Sequence, residues 1–403
     1  MKKKPTLLVL ASTYPRWNQD IEPNFVHELS RRLTPRFEVI ALAPDAPGAD
    51  PSSLMDGVRV VRFRYAPRKL QTLVNNGGIA VNLRLFPWKW LLVPSFMLAQ
   101  FIIACRIVRK HKVDLIHVHW LLPQGLIAWL VHIFTGLPYV VTSHGGDLFG
   151  FRGSIATCLK KVVANNSAAM TVVSNSMHDE VEHLNFHPPS LHVLPMGVDL
   201  QERFVPDPDQ TRSSDFLLFV GRLVEKKGLP HLLQAIPEVL RARPDVVLHI
   251  AGFGPEENRL RLLANRLGIE HAVQFLGPVT QDELPTLYRQ AALFVAPFIR
   301  DNTGNQEGLP VVLMEAIGCG CPVVVGNVAG VSDLLGDATI AVSVQPEDTA
   351  ALAAAILAAL NDHHHAIEMA AKMRSAAMKS VDWQYIADGY ANLLGHHCIE
   401  REK

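Results

Sequence analysis

The feature that most constrains this chain is an alternation of short apolar runs with helical patterns, which occurs in both halves. Several runs are almost unbroken stretches of Val, Ile and Leu, which is typical of parallel strands covered on both faces. Helical patterns lie between them, as in Asn24–Leu33, where Phe25, Leu29 and Leu33 recur at every fourth residue. Strands that alternate with helices predict a doubly wound α/β domain. The runs of the first half are Thr6–Leu10, Phe37–Ala43, Val58–Phe63, Asp114–Val118, Tyr139–Ser143, Ala169–Ser174 and Leu191–Leu194.

A break in this alternation predicts two domains. Glu202–Asp215 is rich in Pro, Asp and Ser, which is typical of a linker. We therefore expect a first domain at residues 1–198, a linker at 199–215, a second domain at 216–381, and a last helix at 382–403 that crosses back to the first domain. Two such domains would face each other across a cleft, since ligands of open α/β sheets bind outside the carboxyl ends of the strands. The runs of the second half are Phe216–Val220, Val246–Ala251, Val273–Leu276, Leu293–Pro297, Pro322–Val325 and Thr339–Ser343.

Length and composition agree with two globular domains. The chain has 403 residues, of which 49% are hydrophobic and 19% are charged, so each half can bury a core of its own. Its five cysteines are too sparse for a disulfide framework, which favours a reducing cytoplasm. Cys319 and Cys321 lack the spacing of a zinc or redox motif. The apolar run Thr6–Ala11 is too short for a signal peptide, and we interpret it as a strand.

Charge and hydropathy raise the question of membrane contact. Residues 1–200 carry 21 Lys and Arg against 13 Asp and Glu, whereas the whole chain is neutral. That surplus is either chance or a preference for an anionic ligand or membrane. Trp88–Cys105 is the candidate for a transmembrane helix, but Lys89, Pro94 and Gln100 interrupt it. We therefore expect a buried or interfacial helix there, and basic residues beside it suit interfacial binding.

The strongest chemical motif is Glu307-Gly-Leu-Pro-Val-Val-Leu-Met-Glu315. Pro310 suits the first turn of a helix, so Glu307 would lie in the loop before the helix and Glu315 on the helix itself. A helix N-terminus offers free N–H groups to a phosphate, and a carboxylate accepts hydrogen bonds from the hydroxyls of a sugar or ribose. Two glutamates at this spacing also occur on solvated helices, but the surrounding glycines and proline favour a binding site.

The second motif is Phe219-Val-Gly-Arg-Leu-Val-Glu-Lys-Lys-Gly228, which directly follows an apolar run. A strand end here would deliver Arg222 and Lys227 to the cleft. The planar guanidinium and the compact ammonium could then clamp a diphosphate. A solvated turn is the alternative interpretation.

Two further loops follow predicted strands. Gly252 and Gly254 do not complete a dinucleotide-binding fingerprint, because Glu257 fills the third glycine position. These glycines still allow the backbone to approach a ligand closely. His144, in the loop Val141-Thr-Ser-His-Gly-Gly-Asp147, is either a polar contact to a sugar or a structural histidine.

Signals for a metal are weak. Asp207-Pro-Asp209 resembles a D-x-D metal motif but lies in the linker, so we interpret it as a turn. His363, His364 and His365 are consecutive on a predicted helix and would point in different directions. We therefore expect no bound metal.

The chain resembles the GT4 retaining glycosyltransferases over nearly its whole length. The C-terminal motifs that carry the resemblance are FVGRLVEKKGLPHLLQAI, HIAGFGPEENRLRLL, VQFLGPVTQDELPTLYRQAALFVAPF and EGLPVVLMEAIGCGCPVVV. The first half adds DLIHVHW, VVTSHGGD, TVVSNSMHDEV and VLPMGVDLQERF. In this order and spacing, the C-terminal motifs are highly specific to the family.

The resemblance implies a GT-B fold, in which the second domain binds a nucleotide-sugar donor and the first binds the acceptor. By motif, Arg222 and Lys227 would hold the donor diphosphate, and Glu315 would bind the ribose. Glu307 would contact the transferred sugar, and His144 matches a position near that sugar. Members of the family retain the anomeric configuration and usually need neither metal nor cofactor. The other donor-binding residues would be Gly221, Gly252, Gly254, Gly308, Leu309 and Pro310.

The loop after the first strand departs from the family pattern. Ser12–Asp20 lacks the glycine pair that many members carry, so a close approach to the donor phosphate from this side is in doubt. We expect Arg16 and Trp17 to shape the acceptor site instead, together with Asp147. The polar segment Asn302–Gln306 is expected to help set the choice of donor.

These patterns predict a glycosyltransferase of polysaccharide biosynthesis that moves a hexose from a nucleotide sugar to a hydroxyl of a glycan or lipid-linked glycan. It would act in the cytoplasm or peripherally on the inner face of the membrane, and it would not bind nucleic acid. No side-chain base or nucleophile stands out, which suits a mechanism led by stabilisation of the leaving diphosphate. The alternatives are a GT-B-fold nucleotide-sugar epimerase and a non-catalytic nucleotide-sugar-binding protein.

Overall fold

The structure is a computed structural model of the 403-residue chain. It describes residues 3–17, 20, 24–74, 78–150, 153–302, 304, 306–328, 330–335 and 343–399. The chain forms two compact units. Unit 1 comprises Met1–Met196 with Ile386–Lys403, and unit 2 comprises Gly197–Tyr385.

The sheet of unit 1 has eight strands in the order β3-β4-β2-β1-β5-β6-β7-β8. All neighbours pair in parallel except β3 and β4. Every residue of β1, β5 and β6 is buried, so both faces of these strands are covered. The strands are β1 Thr6–Leu10, β2 Glu38–Pro44, β3 Ser52–Met55, β4 Val58–Phe63, β5 Leu115–His119, β6 Tyr139–Ser143, β7 Ala169–Val172 and β8 Leu191–Val193.

The helices of unit 1 lie between these strands in sequence. Short turns of other helix types occupy Arg68–Leu70, Pro87–Leu91 and Leu121–Gly125. The segment Trp88–Cys105 therefore lies partly in the Pro87–Leu91 turn and partly in one long helix, α3. The helices are α1 Phe25–Leu33, α2 Ile79–Leu85, α3 Leu92–His111, α4 Leu126–Thr135, α5 Gly146–Phe149, α6 Ser154–Asn165 and α7 Asn175–His183.

The sheet of unit 2 has six described strands, all parallel, in the order β11-β10-β9-β12-β13-β14. Its two apolar cores contain residues from β9, β10 and β12 together with the helices that follow them. The strands are β9 Phe216–Val220, β10 Val247–Ala251, β11 Val273–Gly277, β12 Leu293–Ala296, β13 Val323–Gly326 and β14 Ser343–Val344. The helices are α8 Leu229–Ala242, α9 Glu257–Arg266, α10 Leu284–Gln290, α11 Val311–Gly318, α12 Val331–Leu335, α13 Thr349–Asn361 and α14 His363–Ala377.

The last helix, α15 Trp383–Ile399, begins in unit 2 and continues into unit 1. At its start, Trp383 packs so tightly on Gly197 that an added Cβ there would lie 2.5 Å from the indole. Further along, the Tyr390 hydroxyl donates to the Leu194 carbonyl at 2.9 Å. The start of this helix therefore packs within unit 2, and its later part packs within unit 1.

The prediction of two doubly wound α/β domains is confirmed. Among its parallel strands, each sheet reverses its strand order once, between β1 and β5 in unit 1 and between β9 and β12 in unit 2. The antiparallel edge strand β3 was not predicted, because Ser52–Met55 is short, half polar and partly exposed. Of the predicted strand Thr339–Ser343, residues 339–342 lie outside the described residues, and β14 begins at Ser343.

Candidate active-site residues in the two units

The loop after β9 lies at the point where the sheet of unit 2 reverses its order. Gly221 follows the strand directly, Arg222 is next, and a turn of 3-10 helix occupies Glu225–Lys227. Gly228 then has φ +69°, and an added Cβ would lie 1.7 Å from the Pro297 carbonyl oxygen. Only glycine fits there. The close approach brings the loops after β9 and β12 together at the position where open α/β sheets bind ligands.

Lys227 lies in this loop and is buried, with 8% of its surface exposed. Its Nζ lies 3.4 Å from Glu307 Oε1 and 4.8 Å from the centre of the Phe298 ring. Burial lowers the pKa of Lys227, and the neighbouring Glu307 carboxylate opposes that shift. A desolvated ammonium held in this way interacts more strongly with an incoming anion than an exposed one does.

Glu307 is paired with a second lysine that the sequence analysis did not single out. Lys226 Nζ lies 3.0 Å from the same Oε1. Burial alone would raise the pKa of Glu307, but the attraction of Lys226, Lys227 and Arg222 lowers it to about 2. Two lysines are paired with one ionised carboxylate and the charge of Arg222 also acts on it, so these four side chains carry a net positive charge. This composition suits a ligand that is itself an anion.

Glu315 lies on α11 in a different environment. It is 3% exposed, and the Tyr288 hydroxyl donates to its Oε2 at 3.0 Å. Burial raises the pKa of Glu315 to about 7, although the Tyr288 hydrogen bond opposes the shift. Tyr288 comes from α10, and no sequence pattern pointed to it. Near neutral pH, this carboxyl changes easily between proton donor and acceptor.

The structure shows why glycine is needed at the predicted donor-binding positions after β10. Gly252 has φ +142°, and an added Cβ would lie 1.9 Å from the Gly221 carbonyl oxygen. At Gly254 the corresponding distance, to the Leu223 carbonyl oxygen, is 2.4 Å. The space beside both glycines is therefore filled by the β9 loop, and they hold the two loops together.

The segment before α11 is compact. Gly308 and Pro310 are buried, Leu309 is partly buried, and Pro310 immediately precedes the helix. The Pro310 carbonyl accepts the first hydrogen bond of α11, from Leu313 N at 3.0 Å. Within the polar segment Asn302–Gln306, residues 303 and 305 lie outside the described residues. Asn302 Nδ2 donates to Glu225 Oε1 at 3.0 Å, which joins this segment to the β9 loop.

In unit 1, His144 lies in a group of rings at the carboxyl ends of β5 and β6. Its ring is 5.0 Å from Phe25 and 5.1 Å from Trp120, measured between centroids. Its Nε2 is hydrogen-bonded to His119 Nδ1 at 2.9 Å. Because one ring nitrogen is used in this way, His144 presents only Nδ1 to a further partner.

His119 was not singled out from the sequence, although a signal was present. His117 and His119 are two apart on β5 and therefore point to the same face of the strand. His117 Nε2 is hydrogen-bonded to Thr142 Oγ1 at 2.8 Å. Burial lowers the pKa of His117 and of His144 to about 3 and lowers that of His119 as well. The group is neutral at physiological pH, so it hydrogen-bonds rather than neutralises charge.

Asp147 connects the loops that carry these rings. Its Oδ1 accepts from the Ser143 hydroxyl and from His144 N, both at 3.0 Å, and its Oδ2 accepts from Leu121 N at 2.7 Å. The side chain is buried. A carboxylate with this many partners fixes the loop of His144, and this environment favours a positioning role over direct contact with an acceptor.

Arg16 and Trp17 lie in the loop after β1. Arg16 donates through its backbone N and its Nε to Asp20 Oδ2, each at 2.8 Å, and its guanidinium stacks on Trp17 at 4.4 Å. Trp17 is partly exposed. Residues 18 and 19 of this loop lie outside the described residues.

The weaker signals have structural explanations. Asp207 Oδ1 accepts from Asp209 N at 3.0 Å, as expected for a turn. The five cysteines are free. Among the described residues, one group of three potential metal ligands has its ligand atoms within 4.8 Å of one another. The group consists of His178, Asp179 and Glu182, and it is mostly exposed.

Comparison with known proteins identifies the family. Residues 23–202 match the sequence model of Glycosyltransferase Family 4, and residues 202–380 match that of Glycosyl transferases group 1. A GDP-mannose-dependent alpha-(1-6)-phosphatidylinositol monomannoside mannosyltransferase of Mycolicibacterium smegmatis is 28% identical over 299 residues, covering 72% of this chain and 78% of the relative. A glycogen synthase of Mycobacterium tuberculosis is 27% identical over 389 residues, covering 91% and 89%.

Solved structures share the fold. Sucrose-phosphate synthase from Thermosynechococcus elongatus superposes with a TM-score of 0.77 at 20% identity, covering 97% of this chain and 98% of that protein. Anabaena HepE in complex with UDP-glucose gives 0.74 at 16% identity, covering 97% and 99%. The two family models meet at residue 202 and together span most of the chain. The chain therefore belongs to the GT4-type group 1 glycosyltransferases, and it is a glycosyltransferase built from two Rossmann-like units of the GT-B class.

Proposed function

We propose that this glycosyltransferase transfers a hexose from a nucleotide sugar to a hydroxyl of a glycan or lipid-linked glycan, with retention of configuration. The observation that carries the proposal is the cluster of Arg222, Lys226 and Lys227 around Glu307 at the carboxyl edge of the unit 2 sheet. Its net positive charge is suited to the diphosphate of a nucleotide sugar. The mannosyltransferase relative is GDP-mannose-dependent, and HepE was solved with UDP-glucose, which agrees with such a donor.

In this proposal, catalysis consists mainly of stabilising the leaving diphosphate. Lys227 and Arg222 would bind the phosphates, and their charges would offset the negative charge that develops as the glycosidic bond breaks. Glu307 would accept hydrogen bonds from the sugar hydroxyls and Glu315 from the ribose. The loop residues Gly221, Gly308, Leu309 and Pro310 would supply backbone groups around the donor.

Unit 1 would bind the acceptor, near the histidine and aromatic group. His144 would offer a neutral hydrogen-bonding group through Nδ1, positioned by His119 and Asp147. Trp17 would offer a partly exposed ring for a sugar to stack on, with Arg16 holding its orientation. We further propose a cytoplasmic location, with unit 1 in peripheral contact with the inner face of the membrane.

A panel of nucleotide sugars tests the proposal by thermal shift. A donor that binds the folded chain raises the melting temperature by mass action, so one or a few of the donors should give a concentration-dependent rise. Incubation with that donor and candidate acceptors, followed by mass spectrometry, then separates the alternatives. A glycosylated acceptor supports the transferase, an isomerised nucleotide sugar without acceptor supports an epimerase, and binding without any product supports a non-catalytic protein.

Transfer is expected to continue in excess EDTA. Arg222, Lys226 and Lys227 would supply the cationic charge that a divalent ion supplies in metal-dependent enzymes. The measurement is the transfer rate with EDTA, compared with the rate after addition of Mg²⁺ or Mn²⁺. Loss of activity in EDTA that Mn²⁺ restores would refute the expectation.

Binding of a nucleoside diphosphate is expected to weaken below pH 7 because of Glu315. Its pKa of about 7 means that the carboxyl takes up a proton as the pH falls, and it then accepts fewer hydrogen bonds from ribose. One linked proton weakens binding by up to about tenfold per pH unit below that pKa. Calorimetry with GDP and UDP from pH 8 to pH 6 measures the slope.

Glu315→Gln is the control for that slope, since the phosphates of the ligand also titrate near pH 6. The variant cannot ionise at this position, so its affinity should be lower at pH 8 and should fall less steeply with pH. Parallel slopes in the two proteins would show that Glu315 does not contact the nucleotide.

A further inference from the structure

One face of unit 1 exposes an unusually large set of apolar side chains, which we call the α3 face. They come from the turn before α3, from α3 itself and from the end of α4. The Phe101 and Phe134 rings are in contact at 5.6 Å, which joins the two helices into one surface. Contiguous exposed apolar surface of this kind marks an interaction site in soluble proteins. The exposed residues are Phe86, Trp88, Trp90, Leu91, Leu98, Ile102, Ile133 and Phe134.

The packing of α3 decides how this face can meet a membrane. Residues Pro87–His111 are long and apolar enough to span a bilayer, but 28% of the most apolar stretch is buried inside unit 1. The buried stripe includes Phe96, whose ring contacts Phe63 at 5.1 Å and Tyr65 at 5.2 Å. Because one side of the helix is fixed in the core, only the opposite side is available. An interfacial position is therefore compatible with the fold, whereas a spanning one is not.

The available side of α3 changes from apolar to basic along its length. Leu98, Ile102, Arg106 and Arg109 are separated by four, four and three residues, so they lie along one stripe of the helix. All four side chains are exposed. A helix with this stripe can place its apolar half among acyl chains while its basic half contacts anionic headgroups.

The charge of the surrounding sequence is one-sided. Residues 57–113 contain eleven Lys and Arg and no Asp or Glu. The structure removes two of them from the surface, since Arg62 donates to backbone carbonyls and Lys89 Nζ donates to the Thr72 carbonyl at 3.0 Å. The remaining nine are exposed, and one of them, Arg64, is paired with Asp45 Oδ2 at 2.9 Å. Basic residues next in sequence to a Trp-containing apolar surface suit an anionic bilayer, because Trp side chains favour the membrane interface and each basic side chain gains from anionic headgroups.

We propose that the α3 face lies in the headgroup region of an anionic bilayer and holds unit 1 at its surface. Trp88, Trp90 and Leu91 would insert at the boundary of the acyl chains, and the basic side chains around them would contact anionic headgroups. The inference deepens the proposed function, because it places the acceptor-binding unit at the surface where a lipid-linked acceptor resides. It does not depend on which sugar is transferred.

Vesicle flotation of the full chain tests the proposal. Vesicles of phosphatidylcholine with 30% phosphatidylglycerol are compared with phosphatidylcholine alone, each at about 50 mM and about 500 mM salt, where the Debye length differs about threefold. The chain should float with the anionic vesicles at low salt, and high salt or neutral lipid should lower the bound fraction several-fold. Alkaline carbonate should release it, because α3 would lie at the surface and not span the bilayer. Absence of flotation at low salt, equal binding to both lipids, or resistance to carbonate would each overturn the proposal.

Two variants locate the surface. Leu91→Glu/Leu98→Glu places acidic groups on the α3 face, and Arg106→Glu/Arg109→Glu reverses the charge of its basic half. Each should lower the bound fraction about tenfold, whereas Leu262→Glu on α9 of unit 2, which is as exposed as Leu98, should have no effect. Circular dichroism checks that all the variants are folded. Flotation of either α3 variant at the level of the Leu262→Glu control would refute the assignment.

Two further measurements separate this proposal from its competitors. Size-exclusion chromatography of the unmodified chain should show a monomer without vesicles. A dimer that Leu91→Glu/Leu98→Glu dissociates would instead make the α3 face a contact between copies. Thermal shift with the donor should be the same in all variants, because the proposed donor residues lie in unit 2. An unmodified chain that binds donor but does not float with anionic vesicles would refute the membrane proposal alone. An unmodified chain that floats but binds no donor would refute the proposed function alone.

Discussion

Replacing Lys227 with Ala is expected to lower kcat/KM for transfer by about 100- to 1,000-fold while the protein remains folded. Removing one preorganised donor from a site where negative charge develops typically costs about 2.7–4 kcal/mol in the transition state. Lys227 meets that description, because it is desolvated and its Nζ is held between Glu307 and the Phe298 ring. Steady-state kinetics with the donor found by thermal shift measure the loss.

Two other lysines of unit 2 supply the controls for this result. Lys372→Ala removes an exposed lysine from α14 of the same unit and should leave the rate unchanged. Lys226→Ala should have a smaller effect than Lys227→Ala, because Glu307 keeps its ion pair with Lys227. Thermal unfolding establishes that the Lys227→Ala protein is folded. A loss of less than threefold, with the protein intact, would contradict the role assigned to Lys227.

Acid pH is expected to destabilise unit 1 strongly below about pH 6.5, because of His117, His119 and His144. The pKa of His117 and of His144 is lowered to about 3 by burial, and that of His119 is lowered by burial and by the other two histidines. The folded protein therefore keeps all three neutral, whereas the unfolded chain protonates them near pH 6.5. Since the unfolded state binds more protons in this range, the free energy of unfolding falls as the pH falls.

The expected size of this effect is large. Each histidine contributes about 1.4 kcal/mol per pH unit below 6.5, so the three together contribute roughly 4 kcal/mol at pH 5.5. That is a substantial part of the stability of about 5–15 kcal/mol found for typical domains. Glu315 in unit 2 acts in the opposite direction, because its raised pKa makes its contribution fall as the pH rises from 4.5 to 7.

A single substitution separates the contribution of His117 to the pH dependence of stability from the contributions of the other titrating groups. His117→Gln retains a polar group near Thr142 but cannot protonate, so the slope of unfolding free energy against pH should decrease by about one proton. His183→Gln, at an exposed histidine of α7, is the control and should keep the slope of the unmodified chain. Urea unfolding between pH 7.5 and pH 5 gives the slopes. An unchanged slope in His117→Gln would mean that this histidine titrates normally in the folded state.

The fold could be predicted from the sequence because its signals are local. Unbroken apolar runs such as Phe216–Val220 identify buried parallel strands wherever they occur, and the proline of Glu307–Glu315 marks the start of a helix. Where local signals were missing, the prediction failed. Strand β3 pairs at an edge and is half polar, so neither periodicity nor burial distinguished Ser52–Met55 from a loop.

The order of motifs similarly determined the family and the proposed donor residues. Arg222 and Lys227 follow β9 at a fixed spacing, and Glu307 precedes α11, so the chain topology alone places them at one edge of the unit 2 sheet. Because parallel strands end at the same edge, this part of the candidate site follows from element order without any knowledge of side-chain contacts.

Only the tertiary structure decided which of these side chains meet. Lys226 and Lys227 are adjacent in the chain, yet both reach Glu307, and Tyr288 reaches Glu315 from another helix. Such pairs depend on how loops and helices pack across long separations in sequence, and residue type and periodicity carry no information on that packing. The same reason applies to Lys89, which composition counts as a surface charge and packing buries against Thr72. The sequence determined which helices and strands form and which residues lie at their ends. Packing decided the partners and the burial of the side chains, and hence their pKa values.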